Sequence, residues 1–152
     1  MSDFKPGQRI RGSFPFIDSK VEPLYPRFYL IAAIEGDKAY IYNITSMKLD
    51  NLHQAKYSDR YAIGTLEEAI RPFTKGSFVK LEQLQMVPLS ELEEKTTISC
   101  RGMTLDPYIF NDIKKRTIEG LYYGEWTSLP ENIPLEFKAG IELMKQAEQD
   151  ER

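Results

Sequence analysis

The chain has 152 residues, of which 41% are hydrophobic and 28% charged, with a net charge of −3, one cysteine and one histidine. This composition describes a globular chain long enough for a single core, and it excludes disorder, an internal disulfide and a zinc site built from Cys and His. The longest apolar run, Phe28 to Ile34, is too short to span a membrane, and Met1 to Pro6 lacks the basic start and apolar stretch of a secretory signal, so the expectation is a cytoplasmic protein. Charge is unevenly spread. Residues 1–80 carry twelve Lys/Arg against nine Asp/Glu, and residues 81–152 carry eight against fourteen. The basic first part suits an anionic ligand such as RNA and equally suits an ordinary surface.

Pro6-Gly7 signals a turn. Gln8 to Phe16 then reads as a strand, with Ile10, Phe14 and Phe16 on one face, Arg9 and Arg11 on the other, and Pro15 confining it to an edge or an end. Asp18 to Pro26 is a polar loop holding two prolines. Phe28 to Ile34 reads as a central strand, Glu35 to Lys38 as a turn and Ala39 to Thr45 as the return strand, together the clearest hairpin in the chain. Ser46 to Tyr57 is irregular. Short strands follow at Arg60 to Ile63, Lys75 to Leu81 and Leu84 to Pro88, with Leu66 to Ile70 open between a helical turn and a strand, and a helical turn opens at Pro88 to Leu92. From Thr104, a candidate N-cap with Pro107 in the first turn, the pattern becomes helical, and Gly120 is a fair stop. Leu121 to Pro134 has no clear period. Leu135 to Gln149 reads as a second helix anchored by Phe137, Ile141, Leu143 and Met144, with a fraying tail from Glu148. The order, short strands and then helices, predicts an α+β class: a small barrel or curled sheet with helices against it.

Most catalytic motifs are missing. There is no glycine-rich phosphate loop, no nucleophile elbow and no helix-borne histidine pair, and His53 lies in a polar stretch that suits a surface position.

Several segments, in order, resemble the MazF/PemK family of RNA-cutting toxins. Gly7-Gln8-Arg9-Ile10 with Ser13-Phe14-Pro15-Phe16 resembles the opening strand, and Pro26-Arg27-Phe28-Tyr29-Leu30-Ile31 lies where the family has Arg-Pro and an apolar strand, with the order of arginine and proline reversed. Ile44-Thr45-Ser46 resembles the Thr-Ser that closes the third strand. Lys75 to Leu84 resembles a Ser-x-Val-x-Leu-Asp-Gln segment, and Arg101 to Leu105 resembles the glycine turn ahead of the last helix. The resemblance covers roughly residues 5–120. It implies an SH3-like barrel domain with a C-terminal helix over residues 1–120, and a helical extension over 121–152 packed on the same domain.

It further implies an endoribonuclease that cuts single-stranded RNA without metal or cofactor, acts as a homodimer and is restrained by an antitoxin. Arg27, Thr45 and Ser46 become the catalytic candidates. Cleavage by the ribose 2′-hydroxyl passes through a phosphorane with extra negative charge, which a guanidinium fork can hold and a strand-end hydroxyl can support. Arg11 and Lys20 are candidates for phosphate contacts, and Tyr25 and Tyr57 for stacking on bases. Without the resemblance, Arg27 reads as a solvated loop residue and Thr45-Ser46 as a strand end or helix cap. The rival reading is a non-catalytic SH3-like barrel module that binds nucleic acid or a protein partner.

Overall fold

The computed structural model describes residues 3–14, 25–124 and 133–151. A hairpin forms its centre. Strands β2 (Arg27–Glu35) and β3 (Lys38–Ser46) are rich in aromatic and β-branched residues, which fill a pleated surface well. Gly36 and Asp37 connect them. Glu35 pairs with Lys38 across this two-residue loop, and Gly36 has φ 61°, a conformation that a side chain would resist.

Strand β5 (Ser77–Pro88) pairs with the outer side of β3, and β1 (Arg9–Gly12) with the outer side of β2. The edges are β4 (Arg60–Ile63) and β6 (Thr96–Ile98). The order is β4-β5-β3-β2-β1-β6, with every pair antiparallel. Among the described residues no pairing joins β4 to β6, so the six-stranded sheet is open. Helix α1 (Leu89–Lys95) bridges β5 to β6, while α2 (Pro107–Tyr123) and α3 (Leu135–Asp150) follow the sheet. The class is α+β. Among the described residues, no helix is long and apolar enough to cross a membrane.

Both faces of the sheet bury apolar side chains. Leu30, Tyr42, Val79 and Leu84 pack with Ile113 of α2 and Phe137 of α3. Ile10, Tyr29, Ile31 and Ile41 pack on the other side with Phe14 and with Leu92 of α1. In the half of the hairpin away from its turn, even-numbered residues of β2 and β3 therefore face the α2 side, and odd-numbered residues face the α1 side. That alternation decides which candidate side chains can meet. The α2–α3 contact is close at Gly140, where a Cβ would come within 2.6 Å of Ile118 Cδ1, and Lys114 pairs with Glu136 at 3.0 Å beside it.

Several sequence expectations are corrected. The opening strand is shorter than Gln8 to Phe16: it stops at Gly12, Gln8 only bridges Thr104, and Phe14 is buried beyond its end. Pro15, Phe16 and the loop from Asp18 lie outside the described residues up to Leu24. The two strands expected at Lys75 to Leu81 and Leu84 to Pro88 form one, because the pairing with β3 absorbs the break as a bulge between Tyr42↔Leu84 and Asn43↔Lys80. Leu66 to Ile70 is neither helix nor strand. Strand β6 is unexpected.

The N-cap of α2 is Asp106 rather than Thr104, its carboxylate accepting the N–H groups of Tyr108 and Ile109. The helix runs past a buried Gly120 to end on Gly124 at φ 65°. Helix α3 stays helical through Asp150 rather than fraying from Glu148. Its anchor is Phe137, whereas Leu143 faces solvent.

Candidate functional site

The sheet end that holds the start of β2 and the close of β3 gathers most of the candidates. Arg27 is the first residue of β2, exposed, and pairs with Gly12 of β1. The β2–β3 pairing ends at Tyr29↔Asn43, and Arg27 and Thr45 each lie two residues beyond that last pair, on the same end of the hairpin. Side chains alternate along each strand, so the odd-numbered Arg27, Asn43 and Thr45 fall on the α1 side of the sheet with Tyr29 and Ile41.

β5 extends that face. Thr45 pairs with Phe78 and Asn43 with Lys80, and Lys80 pairs in turn with Arg60 on β4. The Asn43 amide donates to Gln83 Oε1 at 2.7 Å, and its oxygen accepts from Gln85 at 3.3 Å, which holds the side chain in place. Arg60 donates to Glu82 Oε1 at 2.7 Å and, through Nε, to Gln54 at 3.2 Å. Lys80 is thus a half-buried ammonium on a face that already holds two guanidinium groups. Burial lowers its pKa from the ordinary lysine value. Arg60 adds to the shift, Glu82 opposes it, and Arg27 lowers it further. Arg27 and Lys80 therefore feel each other's charge.

Ser46 does not join this row. It follows Thr45 directly and faces the α2 side, pairing with Ser77. There it lines a cavity of about 90 Å³ with Arg9, Phe28 and Thr74. Its carbonyl accepts the Asn51 amide at 3.0 Å. Arg11 is exposed and opposite Phe28, so it too belongs to the α2 side. Tyr25 is 77% exposed just ahead of β2. Tyr57 is 47% exposed and stacks edge-on against an exposed His53, with ring centroids 5.7 Å apart, after the short 3-10 helix Leu52–Lys56. Lys20 lies outside the described residues.

Sequence reasoning brings Arg27 and Thr45 together and misses Lys80 and Arg9. Lys80 carries a signal in hindsight, as the lone cation alternating with Phe78 and Val79-Leu81 neighbours in a strand. Arg9 carries none: the Phe28 ring of β2 and Thr74 in the loop before β5 cover its guanidinium. Among the described residues no three His, Cys, Asp or Glu side chains cluster closely enough to hold a metal ion. No protein-family model matches the chain, and no curated protein matches it.

Proposed function

We propose that this chain is an endoribonuclease of the MazF/PemK type, cutting single-stranded RNA without a metal ion as part of a toxin–antitoxin pair. The observation that carries the reading is that Arg27 and Thr45 share a sheet face at one end of the hairpin, with the half-buried Lys80, paired with Asn43, near enough to feel the Arg27 charge. In this reading the open sheet, with apolar clusters on both faces, is an SH3-like barrel. The protein works in the cytoplasm as a homodimer, and an antitoxin segment that folds on binding covers the RNA-contacting rim.

The chemistry follows from three side chains. The ribose 2′-oxygen attacks phosphorus as the bond from phosphorus to the 5′-oxygen breaks, leaving a 2′,3′-cyclic phosphate and a 5′-hydroxyl. Arg27, permanently charged, offers a fork of donors to the two non-bridging oxygens as negative charge grows on them. Thr45 adds one hydroxyl donor from the facing strand. Lys80 in its neutral fraction accepts the 2′-hydroxyl proton, and its lowered pKa enlarges that fraction near neutral pH. The departing oxygen takes a proton from water at the exposed rim. Tyr25 and Tyr57 offer stacking surfaces for unpaired bases.

The test is direct. Purified protein and a long single-stranded RNA in EDTA yield fragments ending in 2′,3′-cyclic phosphate, and Arg27→Ala abolishes them. RNA that is bound and stays intact shifts the conclusion to a non-catalytic binding module. RNA neither bound nor cut overturns both.

A further inference from the structure

Among the described residues, Arg9 is the most deeply buried cation. It is 7% exposed, its guanidinium lies 4.0 Å from the centroid of the Phe28 ring, and one terminal nitrogen donates to Thr74 Oγ1 at 3.2 Å. Its Nε is fully buried with no hydrogen-bond partner among the described residues. No Asp or Glu among the described residues forms an ion pair with it. Buried charges are ordinarily paired and buried N–H groups ordinarily bonded, because an unmatched one has lost its water and gained nothing in return. Burial accordingly lowers the pKa of Arg9.

The space beside this guanidinium is a partly enclosed cavity of about 90 Å³, several times what one water requires. Hydroxyl-bearing Ser46, Thr74 and Ser77 and the cationic Lys75 line it, and no carboxylate does. Phe73 and Thr74 also wall a neighbouring open groove of about 850 Å³ that carries Arg71 and Arg101 and again no carboxylate. The Ser77 hydroxyl is spent on the Lys75 carbonyl, which leaves an arginine, the Ser46 and Thr74 hydroxyls and a lysine around a small, partly enclosed space, the donor set of an oxyanion pocket.

We propose that the cavity beneath Arg9 is a binding site for a phosphate-type oxyanion, held by the terminal nitrogens of the Arg9 guanidinium with Ser46 and Lys75, on the sheet face opposite Arg27 and Thr45. Its ligand is inorganic phosphate or the phosphomonoester of a nucleotide whose sugar and base extend into the adjoining groove. The site stands independently of the ribonuclease reading, since its readout is binding and not cleavage.

The experiment measures thermal unfolding and calorimetric binding of the full chain with inorganic phosphate and, separately, with a nucleoside 3′-monophosphate. Sodium chloride at matched ionic strength is the reference. At tenfold over Kd, phosphate raises Tm by about 3–6 °C beyond chloride. Arg9→Met, which keeps the stem over Phe28 and removes the donors, loses that rise. The double variant Ser46→Ala/Lys75→Met alters residues outside the core, so it folds even if Arg9→Met does not, and it weakens phosphate binding about tenfold or more. Tighter binding of the nucleotide assigns the groove to its sugar and base, and equal binding assigns the pocket to the free ion. A phosphate response no larger than that of chloride, or an unchanged affinity in the double variant, overturns the proposal.

Discussion

Thr45 and Ser46 are adjacent in β3 and serve opposite faces of the sheet: Thr45 shares the α1 side with Arg27, and Ser46 lines the cavity beneath Arg9 on the α2 side. Their hydroxyls therefore cannot both grip one phosphate. Thr45→Val keeps the shape and strand preference of the side chain and removes only its donor. It lowers the initial rate of RNA cleavage by about 10²–10³, the usual cost of one oxyanion donor, while Thr45→Ser retains most of the rate. A fluorogenic single-stranded RNA measures both, and a loss below threefold in the valine variant rules out this role for Thr45.

Lys80 predicts the pH dependence. A base with a lowered pKa becomes available as pH rises, so the cleavage rate climbs on the alkaline side and levels off below the ordinary lysine value of about 10.4. Lys80→Arg, whose guanidinium stays charged, removes the climb. Lys80→Met removes it too and lowers the rate by about 10²–10⁴, the span of general-base catalysis. Stability gives a second readout. The unfolded chain binds the Lys80 proton more tightly than the folded one, so stability increases as pH rises from the folded to the unfolded pKa of this group. Urea titrations at neutral and alkaline pH show that slope in the wild type and a smaller one in Lys80→Met.

The legibility of the fold tracks how strongly local pattern and tertiary context agree. The hairpin from Arg27 to Ser46 can be read from sequence because its apolar and aromatic runs flank a glycine-bearing turn. β6 cannot: it has three residues at a sheet edge, with Thr96 tied by its own hydroxyl to the Leu92 carbonyl at the close of α1. The α2 cap is misassigned by two residues because Thr104 and Asp106 are both good caps, and only the carboxylate reaches the free N–H groups. At the site, antiparallel geometry implies that Arg27 and Thr45 lie at the same end of the hairpin, and the β2–β3 pairing ends two residues short of both. The burial of Arg9 depends on the distant loop before β5, and the environment of Lys80 on Arg27 and Arg60 of other strands. Long-range burial of a polar residue leaves no periodic trace.

The buried Tyr42–Thr117 pair ties the sheet to α2. The Thr117 hydroxyl donates to the Ile113 carbonyl at 2.8 Å, which uses its one hydrogen, so Tyr42 is the donor in their 2.7 Å contact. Tyr42→Phe removes that donor while keeping the ring, and it costs about 0.5–1.5 kcal/mol in urea unfolding. Burial also raises the Tyr42 pKa, so the folded state resists ionisation that the unfolded chain accepts near pH 10. The wild type therefore loses stability as pH climbs past that value, and Tyr42→Phe loses less.

Gly12 controls how closely β6 approaches β1. A Cβ there would lie 2.6 Å from the Lys95 carbonyl oxygen and about as close to the Thr96 side chain, and the carbonyl is backbone that cannot rotate away. Gly12→Ala must push β6 off the sheet edge, breaking the Gly12↔Thr96 pairing and disturbing the buried Thr96. Overpacking of this kind costs about 1–3 kcal/mol. Gly12 is also the pairing partner of Arg27, so the displacement reaches the rim that carries the proposed chemistry. Gly12→Ala is expected to lower the urea midpoint and to speed hydrogen exchange of the β6 amides ahead of those in β3. Uniform exchange across both strands, or an unchanged midpoint, means that β6 can move without cost and that Gly12 serves only the local turn of the chain.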